Sequence, residues 1–217
     1  MTTEEIIRST SDYVRRELQD DSSGHDWWHI QRVWKNALTL CRQEQADRFV
    51  VELAALLHDL DDWKLNPASD GTPIRAEAWL QRMGVAQAVC DQVCSIITQL
   101  SFKGAGVKNE ISTLEGRIVQ DADRLDALGA IGIARTFAYG GHQGRAMHDP
   151  RQSPQLHATF EHYKHSEGTT LNHFHEKLLL LKDRMNTATA KRMAEERHAF
   201  MEGFLEQFLR EWDGQDL

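Results

Sequence analysis

Apolar residues recur at helical spacing through most of the chain, and this period predicts amphipathic helices. No segment shows the sustained alternation of apolar and polar residues that marks a half-buried strand. The pattern therefore predicts an all-α fold. The predicted helices cover about Thr3–Gln19, Trp27–Cys41, Asp47–His58, Ile74–Met83, Ala86–Leu100, Ser112–Leu128, Ala130–Tyr139, Leu171–Lys182 and Thr187–Trp212.

The segment 140–170 departs from this pattern. It contains glycines, five histidines and two of the four prolines, Pro150 and Pro154. This composition is typical of a loop, and we interpret it as a mobile lid in which Leu156–Lys164 forms a short helix. The chain of 217 residues has no internal repeat or low-complexity tract, so we predict one domain over residues 1–217.

Charge and composition narrow the class of partner. The formal net charge is −8, so the protein has no basic field for a nucleic-acid backbone. No apolar run reaches the roughly 18 residues that a membrane span needs, and the N-terminus lacks the pattern of a signal peptide. The three cysteines, Cys41, Cys90 and Cys94, lie in helical patterns beside apolar residues, which favours reduced thiols. We expect a cytoplasmic protein that binds neither membrane nor nucleic acid.

Candidate ligands for a metal ion occur on three of the predicted helices. His58 and Asp59 follow directly on the apolar run Leu53–Leu57. His29 lies upstream, one turn before Val33 of the apolar stripe of its helix, and Asp123 lies downstream between Ala122 and Arg124. Any one of these side chains, taken alone, also fits a structural role in a helical core. Their joint occurrence is what suggests chemistry.

The order His, His-Asp, Asp resembles the HD superfamily of metal-dependent phosphohydrolases. The similarity is carried by Gly24–Val33, Ala55–Asp59 and Ile118–Gly132, and more loosely by Ser101–Gly104 and Asn172–Leu179. It extends over most of the chain and is closest to the small stand-alone bacterial branch, some of whose members hydrolyse nucleotides. The resemblance implies a single-domain HD-type helical bundle with a metal site in its core.

By this resemblance, the metal ligands are His29, His58, Asp59 and Asp123. Two imidazoles and two carboxylates balance the charge of one divalent ion, and mixed nitrogen and oxygen donors suit Mn, Fe, Co, Ni or Zn better than Mg. Such an ion polarises a phosphorus centre and makes hydroxide available near neutral pH. We therefore expect one divalent metal ion as cofactor.

Further candidates surround this set. Asp62, about one turn beyond His58, is the candidate general acid or base; a solvated loop carboxylate is the alternative. His25 is a candidate substrate contact or a plain surface histidine. Lys103 and Lys177 are candidate phosphate binders, and each is equally an ordinary surface lysine.

The sequence thus favours a metal-dependent phosphohydrolase that acts on a small phosphorylated metabolite. Nucleotides are the preferred candidates for this substrate. Pyrophosphohydrolysis of (deoxy)nucleoside triphosphates is preferred over dephosphorylation of monophosphates. The alternative is a non-catalytic sensor module that binds metal and nucleotide. A helical scaffold without metal would require the whole set of candidate ligands to be coincidental.

Overall fold

The computed structural model of the protein describes residues 1–18, 26–61, 72–100, 111–155 and 168–215. These residues form nine α-helices and two short 3-10 helices, with no strand among them, which confirms the all-α prediction. None of these helices is both long and apolar enough to cross a bilayer. The α-helices are α1 (Thr3–Leu18), α2 (Trp27–Glu44), α3 (Arg48–Leu57), α4 (Ile74–Arg82), α5 (Gln87–Leu100), α6 (Leu114–Asp126), α7 (Gly129–His142), α8 (Thr170–Glu176) and α9 (Ala188–Trp212).

The chain divides into two compact units, and the boundary falls within α6, between Asp123 and Arg124. The first unit is built around α3, which packs against α1, α2 and α5. Every residue of α3 from Val50 to Leu57 is buried. A helix that is apolar on nearly all sides belongs at the centre of a bundle, since no face is suited to water. The prediction of one domain over the whole chain stays a prediction.

Two aspartates fix the start of α2, which carries His29, and of α3, which ends directly before His58. Asp26 caps α2, because its carboxylate accepts the backbone N–H of His29 at 2.9 Å. Asp47 caps α3 by accepting the N–H groups of Phe49 and Val50. The buried charged residue of α3, Glu52, accepts hydrogen bonds from the indole N–H of Trp34 and from Nε of Arg48, each at 3.1 Å. The first turns of both helices are therefore held at a defined position.

The start of α4 is capped from a distance. Its N-cap residue is Pro73, whose side chain forms no capping bond. The carboxylate of Asp61 takes this role, since its Oδ2 accepts the backbone N–H groups of Arg75 at 3.0 Å and Ala76 at 3.2 Å. The guanidinium of Arg75 also donates to the carbonyl oxygen of Leu60 at 2.9 Å. Asp61 is thus a structural residue that joins the end of the α3 segment to α4.

We expect Asp61→Ala to lower the free energy of unfolding by about 1–2 kcal/mol, because the N–H groups of Arg75 and Ala76, one partly and one fully buried, lose their acceptor. Urea unfolding followed by circular dichroism measures this change. The matched control is Asp91→Ala, which removes an exposed carboxylate from α5. Equal urea midpoints for the two variants would contradict the capping role of Asp61.

The second unit contains the end of α6 and the helices α7 to α9. Four phenylalanines, Phe137, Phe174, Phe204 and Phe208, form an aromatic cluster with ring centroids about 6 Å apart. The helical period of the sequence predicts an apolar face of the last helix that includes Phe200 together with Phe204 and Phe208. This prediction is wrong for Phe200, because its side chain is 58% exposed. The buried row of α9 instead consists of Ala190, Ala194, His198, Met201 and Leu205. Small residues in this row let α9 lie close to its neighbours, and Phe204 and Phe208 pack at its edge.

The helix predicted at Leu171–Lys182 is shorter than expected. Regular α-helix ends at Glu176, and two 3-10 helices follow at Leu178–Leu180 and Lys182–Arg184. The break lies at Lys177, whose backbone angles (φ −140°, ψ −57°) are not helical. Leu178 and Leu181 are both buried, and a spacing of three residues suits the tighter 3-10 turn better than an α-helix.

The described parts of the predicted lid are its two flanks. Ala146 and Met147 accept the backbone N–H groups of Thr170 and Leu171, each at 2.9 Å, so these flanks are joined by main-chain hydrogen bonds. The helix predicted at Leu156–Lys164 lies outside the described residues. The assignment of 140–170 as a lid stays a prediction.

Candidate metal centre

Three of the predicted metal ligands converge in the core of the first unit. His29, His58 and Asp59 each offer one ligand atom, and these atoms all lie within 4.8 Å of one another. The exposed fractions of the three residues are 1%, 8% and 5%. His29 comes from the first turn of α2, whereas His58 and Asp59 follow the last turn of α3. The two helices pack against each other, and this packing brings the three side chains together.

A backbone contact sets the orientation of the His58 ring. Its Nδ1 lies 2.9 Å from the carbonyl oxygen of Ala55, one turn earlier in the chain. A carbonyl oxygen only accepts, so this bond requires the proton on Nδ1 and leaves a lone pair on Nε2. Nε2 is buried and has no hydrogen-bond partner among the described residues. The imidazole is therefore held in the tautomer that a metal ion binds.

Asp123 lies at the edge of this group. Its Oδ1 is 3.5 Å from Nε2 of His29, and its side chain is 40% exposed. It is not one of the three residues whose ligand atoms all lie within 4.8 Å. The position of Asp123 in α6 nevertheless directs its carboxylate toward the imidazole of His29. Asp123 could therefore bind the same metal ion as His29, His58 and Asp59, from the more exposed side of that group.

The spacing of the donor atoms fits a single ion. Ligand atoms about 2.1 Å from a metal and 90–110° apart are separated from each other by roughly 3.0–3.4 Å. His29 Nε2 lies 3.3 Å from Oδ2 of Asp59, and His58 Nε2 lies 3.5 Å from Oδ1 of the same residue. Each imidazole Nε2 is thus separated from one oxygen of Asp59 by about the distance expected between two ligands of one ion. Burial, donor chemistry and the oriented His58 ring all agree with a divalent cation.

Three other predicted site residues lie outside the described residues. These are His25, Asp62 and Lys103. Lys177 is described, and it is half-buried at the end of α8 in the second unit. It lies near His173, whose pKa is lowered to about 3, mainly by burial and also by the positive charges of Lys177 and Arg145. Lys177 thus belongs to a group of basic side chains in that unit.

Two further carboxylates near the predicted ligands in the chain, Asp61 and Asp126, were possible alternatives to Asp62 by sequence, and both have structural partners. Asp61 binds the start of α4, and burial raises its pKa, while the N–H groups of Ala76 and Arg75 act in the opposite direction. Asp126 is 2% exposed and accepts a hydrogen bond from the guanidinium of Arg135 at 2.8 Å. Neither residue belongs to the group that can hold the ion.

Two residues close in the chain to the predicted ligands have a burial that the sequence pattern does not predict. Asp121 is fully buried, although it lies in a run of charged residues that reads as a polar helix face. Trp28, in contrast, is 55% exposed, although it lies between the buried Trp27 and His29. Tertiary packing decides both cases, and the helical period alone does not reveal it.

No second metal-binding group is found in the part of the chain that the structure describes. His148 from the predicted lid contacts aromatic rings instead, with its ring 5.1 Å from Trp212 and perpendicular to it. The histidines at 157, 162 and 165 lie outside the described residues. The cysteines are all free, and burial raises the pKa of Cys94 to about 11, so its thiol stays protonated at neutral pH.

Comparison with known proteins agrees with the fold and the site. Residues 27–128 match the HD domain family, and this range contains His29, His58, Asp59 and Asp123. The chain is 42% identical to the Bacillus subtilis protein YpgQ over 205 residues, which is 94% of this chain and 92% of YpgQ. A crystal structure of YpgQ in complex with ADP superposes with a TM-score of 0.80, at 36% identity in that alignment and full coverage of both chains.

Two other solved structures are similar. An HD-superfamily hydrolase from Bacillus thuringiensis has 47% identity and a TM-score of 0.79, covering 99% of this chain and 100% of its own. A Lactobacillus plantarum protein has 40% identity and a TM-score of 0.86, with the same coverage. The helical fold and the buried His/Asp group define a metal-dependent phosphohydrolase. The chain belongs to the HD domain family.

Proposed function

We propose that the protein hydrolyses nucleotides, and that (deoxy)nucleoside triphosphates are its preferred substrates. The observation that carries the substrate class is the ADP bound to YpgQ, a relative that aligns over the whole chain. The preference for triphosphates rests on the resemblance to the stand-alone branch of the family. A cytoplasmic location and the lack of nucleic-acid partners remain predictions from the sequence.

We propose His29, His58, Asp59 and Asp123 as the ligands of one divalent ion. His29 and His58 supply neutral nitrogen donors, and the two carboxylates balance the charge of the ion. Mn, Fe, Co, Ni and Zn fit this donor set, and Mg fits it less well. A crystal soaked in Mn²⁺ tests the assignment. We expect one anomalous peak bounded by these four side chains; a peak at the histidines of segment 140–170 would contradict it.

The bound ion would polarise the phosphorus centre and lower the pKa of attacking water. The side chains of the protein would supply the other requirements, which are exclusion of water, proton transfer and contacts to the substrate. The buried position of His29, His58 and Asp59 keeps bulk water away from their inner side, which strengthens their electrostatic effect. We propose Asp62 as the group that accepts or returns the proton of the attacking water. His25, Lys103 and Lys177 are proposed substrate contacts, because negative charge on a polyphosphate beyond the ion requires compensation.

Turnover of a nucleotide panel tests the proposal. The panel contains ribo- and deoxynucleoside tri-, di- and monophosphates, each in Mn²⁺ and in Mg²⁺, with release of phosphate and pyrophosphate measured separately. Pyrophosphate release from triphosphates supports the proposal. Phosphate release from monophosphates alone would overturn the preferred reaction. Binding without turnover of any member would instead favour the sensor module.

A further inference from the structure

The last turn of α6 carries Asp123, which is the most exposed of the four proposed metal ligands. Its side chain is 40% exposed, whereas the side chains of the other three are at most 8% exposed. Surrounding side chains therefore restrict the carboxylate of Asp123 less than they restrict the other ligands. Its position depends mainly on the backbone of the helix that carries it.

The last carbonyl groups of an α-helix have no donor within the helix, and two arginines supply donors at this end of α6. The guanidinium of Arg197 donates to the carbonyl oxygen of Leu125. Nη1 of Arg135 donates to the carbonyl oxygen of Asp126 at 3.4 Å and to the carboxylate of the same residue at 2.8 Å. The last two carbonyls of α6 are thus each bound to a guanidinium group, which stabilises the end of a helix.

The two arginines are themselves held in place. The side chains of Asp126 and Arg135 are 2% and 24% exposed, so water has little access to their ion pair, and breaking such a pair is costly. Burial lowers the pKa of Arg197, and the negative charge of Asp126 acts in the opposite direction. A Cβ atom at Gly129 would lie 3.1 Å from Cγ of Arg197, so the glycine leaves room for the stem of this arginine.

A helix end that loses these donors is more prone to fray, because its carbonyl groups are again unsatisfied. Fraying of the last turn would release the backbone of Asp123 and move its carboxylate from its place 3.5 Å from Nε2 of His29. We propose that Arg135 and Arg197 are positioning residues, which hold the last turn of α6 so that Asp123 can bind the metal ion. This inference rests on the proposed function, from which the ligand role of Asp123 is taken.

A double-mutant cycle on Mn²⁺ affinity, measured by calorimetry on the full chain without nucleotide, tests the inference. Arg197→Met removes the guanidinium but keeps most of the apolar stem beside Gly129. It is expected to weaken Mn²⁺ binding by about 10- to 100-fold, the usual cost of losing a group that orients a ligand. In an Asp123→Ala background the same change should weaken binding by less than about twofold, since the ligand that it positions is absent. Arg197→Lys keeps a charged donor, so its Mn²⁺ affinity should lie between those of the parent protein and Arg197→Met.

The matched control is Arg192→Met, which removes an exposed guanidinium from the same helix, where it contacts only Thr189. It should keep the Mn²⁺ affinity of the parent protein. An unchanged affinity in Arg197→Met would overturn the inference. An equal loss with and without Asp123 would also overturn it, because a general loss of stability acts in both backgrounds. If circular dichroism shows that Arg197→Met is unfolded, the cycle is measured with Arg197→Lys under the same criterion.

Failure of this inference differs from failure of the proposed function. If Asp123→Ala weakens Mn²⁺ binding but is not coupled to Arg197, the ligand set stands and the positioning role is wrong. If Asp123→Ala binds Mn²⁺ as the parent protein does, Asp123 is not a ligand and both are wrong. If the coupling is found and no nucleotide is hydrolysed, the positioning role stands and the proposed substrate is wrong.

Discussion

Asp59→Ala should abolish turnover and remove the bound metal while the helices stay folded. Asp59 is the residue that links the two imidazoles, because its two oxygens lie 3.3 Å from His29 and 3.5 Å from His58. Without it, the ion loses a ligand and a compensating charge in a site that excludes water. Changes to groups that only orient a ligand cost about 10–100-fold in metal affinity, so loss of a ligand should cost more than roughly 100-fold.

Elemental analysis of the purified variant and turnover with added Mn²⁺ measure the two effects. Helical circular dichroism should be retained, because the apolar residues of α3 are unchanged. Asp91→Ala is again the matched control, since Asp91 is an exposed carboxylate of the same unit. It should keep both metal and activity. Normal turnover in Asp59→Ala would show that the catalytic centre lies elsewhere.

The helical elements could be predicted from the sequence because their signals are local. The helical period and the capping residues Asp26 and Asp47 lie within a few residues of the helix starts they define. The order of His29, His58 and Asp59 indicated the metal group because the family motif preserves it. What the sequence could not show is how far apart the donor atoms lie, since that depends on the packing of α2 on α3.

The errors have a different physical origin. Phe200 was placed on the buried face of α9 because its spacing suits the helical period, but packing selected the row from Ala190 to Leu205, which contains small residues. The role of Asp61 could not be foreseen, since its partners Arg75 and Ala76 lie 14 and 15 residues further along the chain. Contacts at that separation depend on how helices pack, and no local period encodes them.

The structural role of Asp61 bears on the choice of a catalytic acid or base. Three carboxylates follow His58 in close succession: Asp59, Asp61 and Asp62. The first belongs to the metal group, and the second is bound to the backbone at the start of α4. Asp62 lies outside the described residues, and it is the remaining carboxylate of this short run. We therefore retain it as the proposed residue that exchanges a proton with the attacking water.

Asp62→Asn should keep the metal and bind substrate with near-normal affinity, but its kcat should fall by a factor of about 10²–10⁴, the usual contribution of a positioned acid or base. Asparagine has nearly the same shape and still forms hydrogen bonds, yet it does not accept a proton at neutral pH. Steady-state kinetics with a nucleoside triphosphate, together with metal analysis, measure both quantities.

Asp61→Asn is the matched control, since an amide oxygen can still accept the N–H groups at the start of α4. This variant should retain its kcat. An unchanged kcat in Asp62→Asn would make Asp62 an ordinary loop carboxylate, whereas loss of metal would make it a ligand or a support for His58.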